Sequence, residues 1–279
     1  MASFFRFFIY SNLFIAACAI LMVNQTYVLL LHTPPDKYFL GFVSSATICS
    51  YSFHWWLTSG SLVPSPRIAW LKKNRIFHLA LFFVGLAGSA IFFYFLSPYW
   101  HWLLLSAVIT FLYSAPKINH PLFLFLRKIA IGKTIFLAFA WTHVTSLLPV
   151  LMVTKNLGGE HILFVINRFF FIYAICIVFD RRDVESDRQA GIKSLITYLS
   201  PKGIDALFWA SLGVVFITAV LLLPWFSIID LIILLIPAVI MGLLYEHSKK
   251  SFSDYLYYFL LDGLMAASAP ILILAKFAR

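Results

Sequence analysis

The sequence predicts an all-α fold: a polytopic membrane helical bundle of about nine transmembrane helices, with residues 1–279 forming a single integral-membrane domain. Three observations predict it. Hydrophobic residues make up 62% of the chain and the mean hydropathy is +0.92, against about 45–50% apolar content in soluble domains. Apolar runs of about 20 residues, each long enough to cross a bilayer core, recur along the length. Most prolines and charges fall between those runs, as connections require.

The first span is placed at Phe5–Leu31. Its apolar stretch is too long for a signal-peptide core and no small-residue cleavage site follows, so it reads as a membrane helix. Pro34 and Pro35 break the chain before the second span, Tyr38–Leu57. Pro64 and Pro66 mark the polar connection to the third, Phe77–Leu96. Pro98 precedes the fourth, Trp102–Tyr113, which is short as drawn and borrows flanking residues such as Tyr99 and Trp100. Beyond Pro121 come the fifth span, Ile129–Val153, and the sixth, Ile162–Phe179. Pro201 introduces the seventh, Ile204–Leu223, and Pro224 separates it from the eighth, Ile228–Tyr245. The ninth is Tyr255–Ala275. Pro149, Pro237 and Pro270 fall within spans, where neighbouring helices re-satisfy the freed backbone groups.

Lysines and arginines orient this count. With a cytoplasmic N-terminus, that side carries Arg6, Arg67, Lys72, Lys73, Arg75, Lys117, Arg127, Lys128, Arg181, Arg182, Arg188, Lys193, Lys202, Lys249 and Lys250. The other side carries Lys37, Lys155, Lys276 and Arg279, while Lys133 and Arg168 lie within spans. The asymmetry is a positive-inside bias. It places the net charge of +10 at a membrane face and implies no nucleic-acid partner. Cys18, Cys49 and Cys176 all sit in apolar runs without metal-ligand spacing, which implies core packing.

One stretch concentrates the charge. FDRRDVESDRQAGIKSL, Phe179 to Leu195, places Asp180, Asp183 and Asp187 at i, i+3 and i+7. On a helix continuing the sixth span, all three share one face. Carboxylates so close repel one another unless a cation joins them. Hard oxygen ligands suit Mg²⁺, which takes one or two carboxylates, keeps waters and completes its shell with substrate phosphates. Arg181, Arg182, Arg188 and Lys193 add contacts to phosphate oxygens. Two readings fit this spacing: a Mg²⁺–diphosphate site, or a solvated loop rich in both charges.

The same stretch closely resembles the second aspartate-rich motif of the UbiA superfamily of intramembrane prenyltransferases, with Gly191, Ile192, Lys193 and Ser194 matching the segment that follows it. LYSAPK (Leu112–Lys117) is similar to the segment after the family's fourth helix, GKTIFLAFAWTHVTSLLP (Gly132–Pro149) to its fifth, and LLDGLM (Leu260–Met265) to the Asp-Gly pair of its last. The resemblance implies nine helices in two pseudo-repeated halves. It also implies an isoprenyl diphosphate clamped through Mg²⁺ at a cytoplasmic mouth, with its tail in an apolar cavity. Ionisation there gives an allylic carbocation for an aromatic or lipid acceptor to capture. Asp180, Asp183 and Asp187 are then the catalytic and metal-binding residues, and a bacterial cytoplasmic membrane is the implied location.

The first aspartate-rich motif of that family is absent. SYSFHWWLTSGSLVPSPR stands in its place, and setting Phe53 against Phe179 puts His54, Leu57 and Ser61 at the three aspartate positions. Between Asp36 and Glu160 the chain has no acidic residue. Three outcomes follow. One is a reduced metal set, with His54, Arg67, Lys72, Lys117, Arg127 or Lys133 binding the diphosphate directly. Another is cyclisation of a bound prenyl chain without an external acceptor. The last is a catalytically degenerate protein that binds or transports a lipid or quinone.

The substrate-binding candidates are thus His54, Arg67, Tyr113, Lys117, Arg127, Lys133, Arg188 and Lys193. Each has a plainer alternative. The basic residues of the second connection serve topology and attract anionic headgroups, and His54 beside Trp55 and Trp56 acts as an interfacial anchor. Tyr113 caps a helix or belts the interface, although its family position lines the pocket. Lys133 matches a family position. Arg168 near the far face snorkels, and Asp262 is structural. Aromatics, 18% of residues, line a prenyl tunnel or pack against lipid.

Overall fold

The computed structural model describes residues 2–58, 65–118, 120, 123, 133–189 and 195–277. Among them there is helix and no strand. Helix α1 (Ala2–Tyr10) is separated from α2 (Leu13–Leu31) by a break at Asn12, which adopts φ 68°. The span expected at Phe5–Leu31 is therefore two helices. Asparagine tolerates the left-handed region better than most residues, and here its side chain is held from outside the helix. Its Nδ2 donates to Ser52 Oγ at 3.2 Å and its Oδ1 accepts from Arg67 Nη2 at 2.9 Å.

Helix α3 (Lys37–Thr58) starts where the Asp36 carboxylate accepts from Phe39 N at 2.8 Å. The connection expected after it contains a short helix, α4 (Pro66–Lys73). Ser65 caps that helix through Ile68 N at 3.1 Å, with proline in its first turn, the usual start signal. Helix α5 (Arg75–Phe95) lies against α3 at a seam of small residues. A Cβ on Gly85 would stand 2.6 Å from Cys49 N, and one on Gly88 would stand 2.6 Å from Ser45 Oγ. Only glycine permits so close an approach of two membrane helices.

Helix α6 (Trp100–Ser114) begins at the flanking residue that the short fourth span was expected to borrow. Helix α7 (Thr134–Val153) passes through a wide π-type turn at His143–Leu147 before Pro149. Helix α8 (Gly159–Gln189) has 31 residues, about 46 Å at 1.5 Å per residue. It is longer than a hydrocarbon core of about 30 Å, and its last turns carry the aspartate motif. After a helical turn at Leu195–Tyr198 come α9 (Pro201–Leu221), α10 (Ile228–Ser248) and α11 (Leu256–Ala275).

Among the described residues, α2, α5, α7, α8, α9, α10 and α11 are long and apolar enough to cross a membrane. The chain is an integral membrane protein. Helices α3 and α6 occupy the expected second and fourth positions. The first is rich in serine and threonine, and the second has only 15 residues. The core between the helices includes Met22, Val43, Ile172, Phe208, Met241 and Tyr257, all buried. Arg168 does not snorkel as expected. It is 3% exposed, donates to Gln25 Oε1 at 2.8 Å and lies 5.2 Å over the Phe164 ring. The α2 amide gives its guanidinium a partner inside the bundle, which removes the need to reach water.

Candidate functional site

A cavity of about 1270 Å³ runs between α2, α3, α5, α6, α7, α8 and α11. Ordinary small-molecule pockets span about 300–1,000 Å³, so this one has room for a long chain. Ile15, Ala19, Phe42, Leu103, Leu137 and Ile175 form apolar wall. Asp180, Arg182, Asp183, Glu185, Asp187, Asp254, Arg67, His54 and Lys117 line it as well. The cavity is therefore amphipathic, and its polar lining draws together three separate parts of the sequence.

The first part is the end of α8, which continues as helix through the motif, as the spacing predicts. Asp180 and Asp187 are each 7% exposed, and Asp183 is half-buried. The Thr134 hydroxyl of α7 donates to Asp180. Arg182 forks Asp183, with Nε to Oδ1 at 2.7 Å and Nη2 to Oδ2 at 3.2 Å. The same guanidinium lies 4.4 Å from the Tyr257 ring centre and 5.0 Å from that of Tyr258. Both tyrosines sit in the wide π-type turn, Leu256–Leu261, that opens α11.

The second part is the end of α3, around His54. His54 stacks on Tyr113 at 5.0 Å with 13° between the rings. Its Nε2 is 2.8 Å from Lys117 Nζ and its Nδ1 is 3.2 Å from Ser114 Oγ. Lys117 Nζ also donates to Thr58 Oγ1 at 2.5 Å. An ammonium at Lys117 must donate to Nε2, which makes His54 neutral, with its proton on Nδ1 directed at Ser114. His54 is thus held by Tyr113 and Ser114 of α6 and by Lys117 in the turn after it. Leu57 lines the cavity too; Ser61 lies outside the described residues.

The third part is Arg67 on α4, 4% exposed. Its guanidinium is 3.9 Å from the Trp55 ring centre, 4.2 Å from Tyr258 and 5.6 Å from Tyr10. Nη2 donates to Asn12, and the backbone N donates to Asp254 Oδ2 at 2.8 Å. Burial pulls its pKa below the ordinary arginine value, and the nearby carboxylates of Asp262 and Asp254 oppose that shift. Tyr10 also donates to Asp254 Oδ2 at 3.1 Å. Burial and the Asp254 charge both push the Tyr10 hydroxyl upward, so it stays a donor.

The remaining candidates fall elsewhere. Arg188 is exposed and is not among the described residues that line the cavity. Arg127 and Lys193 lie outside the described residues, and so does the side chain of Lys133. Arg181 turns away from the cavity. It meets Asp205 at 2.5 Å, which also accepts from Tyr245 at 2.6 Å and from Lys249 at 3.2 Å. That network braces α8 against α9 and α10. Sequence reasoning missed Asn12, Asp254 and Tyr258. The polar pair Ser11–Asn12 is the one local signal of the helix break, and a π-type turn has no sequence signature to place Tyr258.

The donor set bears on the implied metal. Among the described residues no group of three His, Cys, Asp or Glu side chains is placed to hold an ion. A metal gripped by Asp180, Asp183 and Asp187 together does not fit. A Mg²⁺ ion that keeps waters and phosphate oxygens needs only one or two carboxylates; Asp180 and Asp187 both line the cavity but stand two helical turns apart, so either one alone fits that lesser demand.

Comparison with protein-family models gives no match, and comparison with curated proteins gives none. Among solved structures, the apo structure of a UbiA homolog from Aeropyrum pernix K1 superposes with a TM-score of 0.64 at 16% sequence identity. The match covers 97% of this chain and 96% of that one. Over nearly its whole length, the chain has the fold of that UbiA homolog.

Proposed function

We propose that the chain is a divergent member of the UbiA superfamily, a prenyltransferase that binds an isoprenyl diphosphate, with its N-terminus and the polar mouth on the cytoplasmic side of a bacterial membrane. One observation carries this reading: the aspartate motif of α8 lines the same large cavity as an extended apolar wall. A ligand that is anionic at one end and apolar along its length matches both.

The two walls of the mouth divide the work. On one, Arg67 and the Lys117–His54 pair supply positive charge and N–H donors directly to phosphate oxygens, in place of the missing acids. On the other, Asp180 or Asp187 would offer a carboxylate to a Mg²⁺ ion that arrives with the diphosphate; when bound, it neutralises charge on the leaving group. Six carboxylates among the described lining residues (Asp180, Asp183, Glu185, Asp187, Asp254 and Asp262) face three permanent cations, Arg67, Lys117 and Arg182. An acid-rich mouth repels a bare diphosphate, so a companion cation strengthens binding. Asp183 orients Arg182, and the two tyrosine rings hold that guanidinium flat. The apolar wall keeps water from the carbon that becomes electrophilic.

The test is saturable binding of radiolabelled geranylgeranyl diphosphate to the full chain in lipid nanodiscs, with and without Mg²⁺. Binding that Mg²⁺ strengthens, and that Asp180→Asn with Asp187→Asn weakens, is the expected result. Absence of saturable binding, with a quinone or neutral lipid co-purifying instead, would replace this reading with that of a lipid- or quinone-binding membrane protein.

A further inference from the structure

The proposal above gives the Asp262 carboxyl no role. Asp262 lines the cavity from α11, within the segment Leu256–Ala275 that is apolar enough to cross the membrane. Among the described residues its carboxyl makes no hydrogen bond or ion pair, and Arg67 and Arg182 act on it only through space. Tyr51 and Cys18 are within electrostatic reach, and Phe14 packs against the adjacent Gly263. An unpartnered acid at that depth is costly, and such groups persist where they act on a ligand.

Its height along α11 says which part of a ligand it meets. Tyr258 touches both Arg67 and Arg182, so it marks the level of the phosphate groups. Asp262 follows four residues later, about one turn or ~6 Å further along the helix. The π-type turn ends immediately before it, at Leu261, and such turns recur at functional sites. A prenyl diphosphate held at the arginines would bring its first carbons to this level.

We infer that Asp262 is a catalytic residue, the proton acceptor of the transfer, and that the acceptor molecule presents a hydroxyl group to it. The inference rests on the prenyl diphosphate reading. The bond from C1 to the diphosphate oxygen breaks, and its electron pair leaves with the diphosphate. The allylic cation takes an electron pair from the hydroxyl oxygen, a C–O bond forms, and the hydroxyl proton passes to the Asp262 carboxylate. Water can stand in for the acceptor and yields the prenyl alcohol.

Two measurements on the full chain in nanodiscs test this. In the first, the wild-type protein is treated with dicyclohexylcarbodiimide, an apolar reagent for carboxyl groups, and mapped by mass spectrometry. Asp262 should be modified, and bound geranylgeranyl diphosphate should block the modification. Undiminished modification with the ligand bound overturns the inference. In the second, Asp262→Asn should bind geranylgeranyl diphosphate with unchanged Kd while prenyl alcohol and diphosphate release fall about 100-fold, the ordinary worth of a general base. Asp262→Glu should recover part of that rate. Wild-type turnover in Asp262→Asn, or loss of binding in step with turnover, counts against a proton acceptor. Should Asp262→Asn not fold, the protection experiment decides alone. Failure of the wild-type protein to bind the diphosphate instead removes the prenyl reading beneath it.

Discussion

The guanidinium of Arg67 is held by three aromatic rings and the Asn12 amide, at 4% exposure. Desolvated cation–π contacts are worth about 2 kcal/mol, which helps a lone cation persist at that depth. Planarity is what such a cage selects, so lysine is no substitute. Arg67→Lys is expected to raise the Kd for labelled geranylgeranyl diphosphate about tenfold, or ~1.4 kcal/mol. Arg67→Met also loses a charge-assisted contact and should cost about 100-fold. Equilibrium binding on monodisperse protein checks both, and equal affinities in all three proteins would remove Arg67 from the phosphate site. The sequence marks Arg67 as a basic residue of a connection. It does not mark the cage, because Tyr10, Trp55 and Tyr258 lie on three separate helices.

At the scale of elements, the seam between α3 and α5 fixes where His54 stands. Gly85 has no room for a side chain against the Cys49 backbone, whereas a Cβ on Gly213 in α9 meets nothing within 4 Å. Gly85→Leu must force the two helices apart, an overpacking cost of about 1–3 kcal/mol. Gly213→Ala relieves a glycine inside a helix and should stabilise by about 0.5–1 kcal/mol. Thermal unfolding in detergent should therefore move in opposite directions for the two variants, and a Gly85→Leu protein as stable as wild type would refute the seam. Apolar run length alone placed α5 and the helices after it. The break at Asn12 and the helix α4 escaped such reading, since the two polar residues Ser11 and Asn12 are too short a gap to end an apolar run and α4 lies in a polar connection.

At the scale of the whole molecule, the mouth is asymmetric. The α8 wall is acidic and the facing wall offers Arg67 with the Lys117–His54 pair. Chelation of Mg²⁺ should then weaken geranylgeranyl diphosphate binding by about an order of magnitude, the worth of one charge-assisted contact, without abolishing it. In Asp180→Asn with Asp187→Asn, affinity should be equally weak with and without Mg²⁺. Titration calorimetry in EDTA and in Mg²⁺ separates these outcomes, and complete loss of binding in EDTA would show that the basic wall carries nothing by itself.

The class of fold, the approximate place of each span and the helical face shared by Asp180, Asp183 and Asp187 are all legible in the amino-acid order. Those properties depend on run length and on periodicity along one helix, which are local. The same order shows the absence of acids between Asp36 and Glu160. Tertiary packing alone set which residues meet around the cavity: His54 against Lys117, Arg67 with its backbone N on Asp254, and Asp262 in the same lining. Each of those relations joins residues far apart in the chain, and long-range packing chooses partners that no spacing along the sequence encodes.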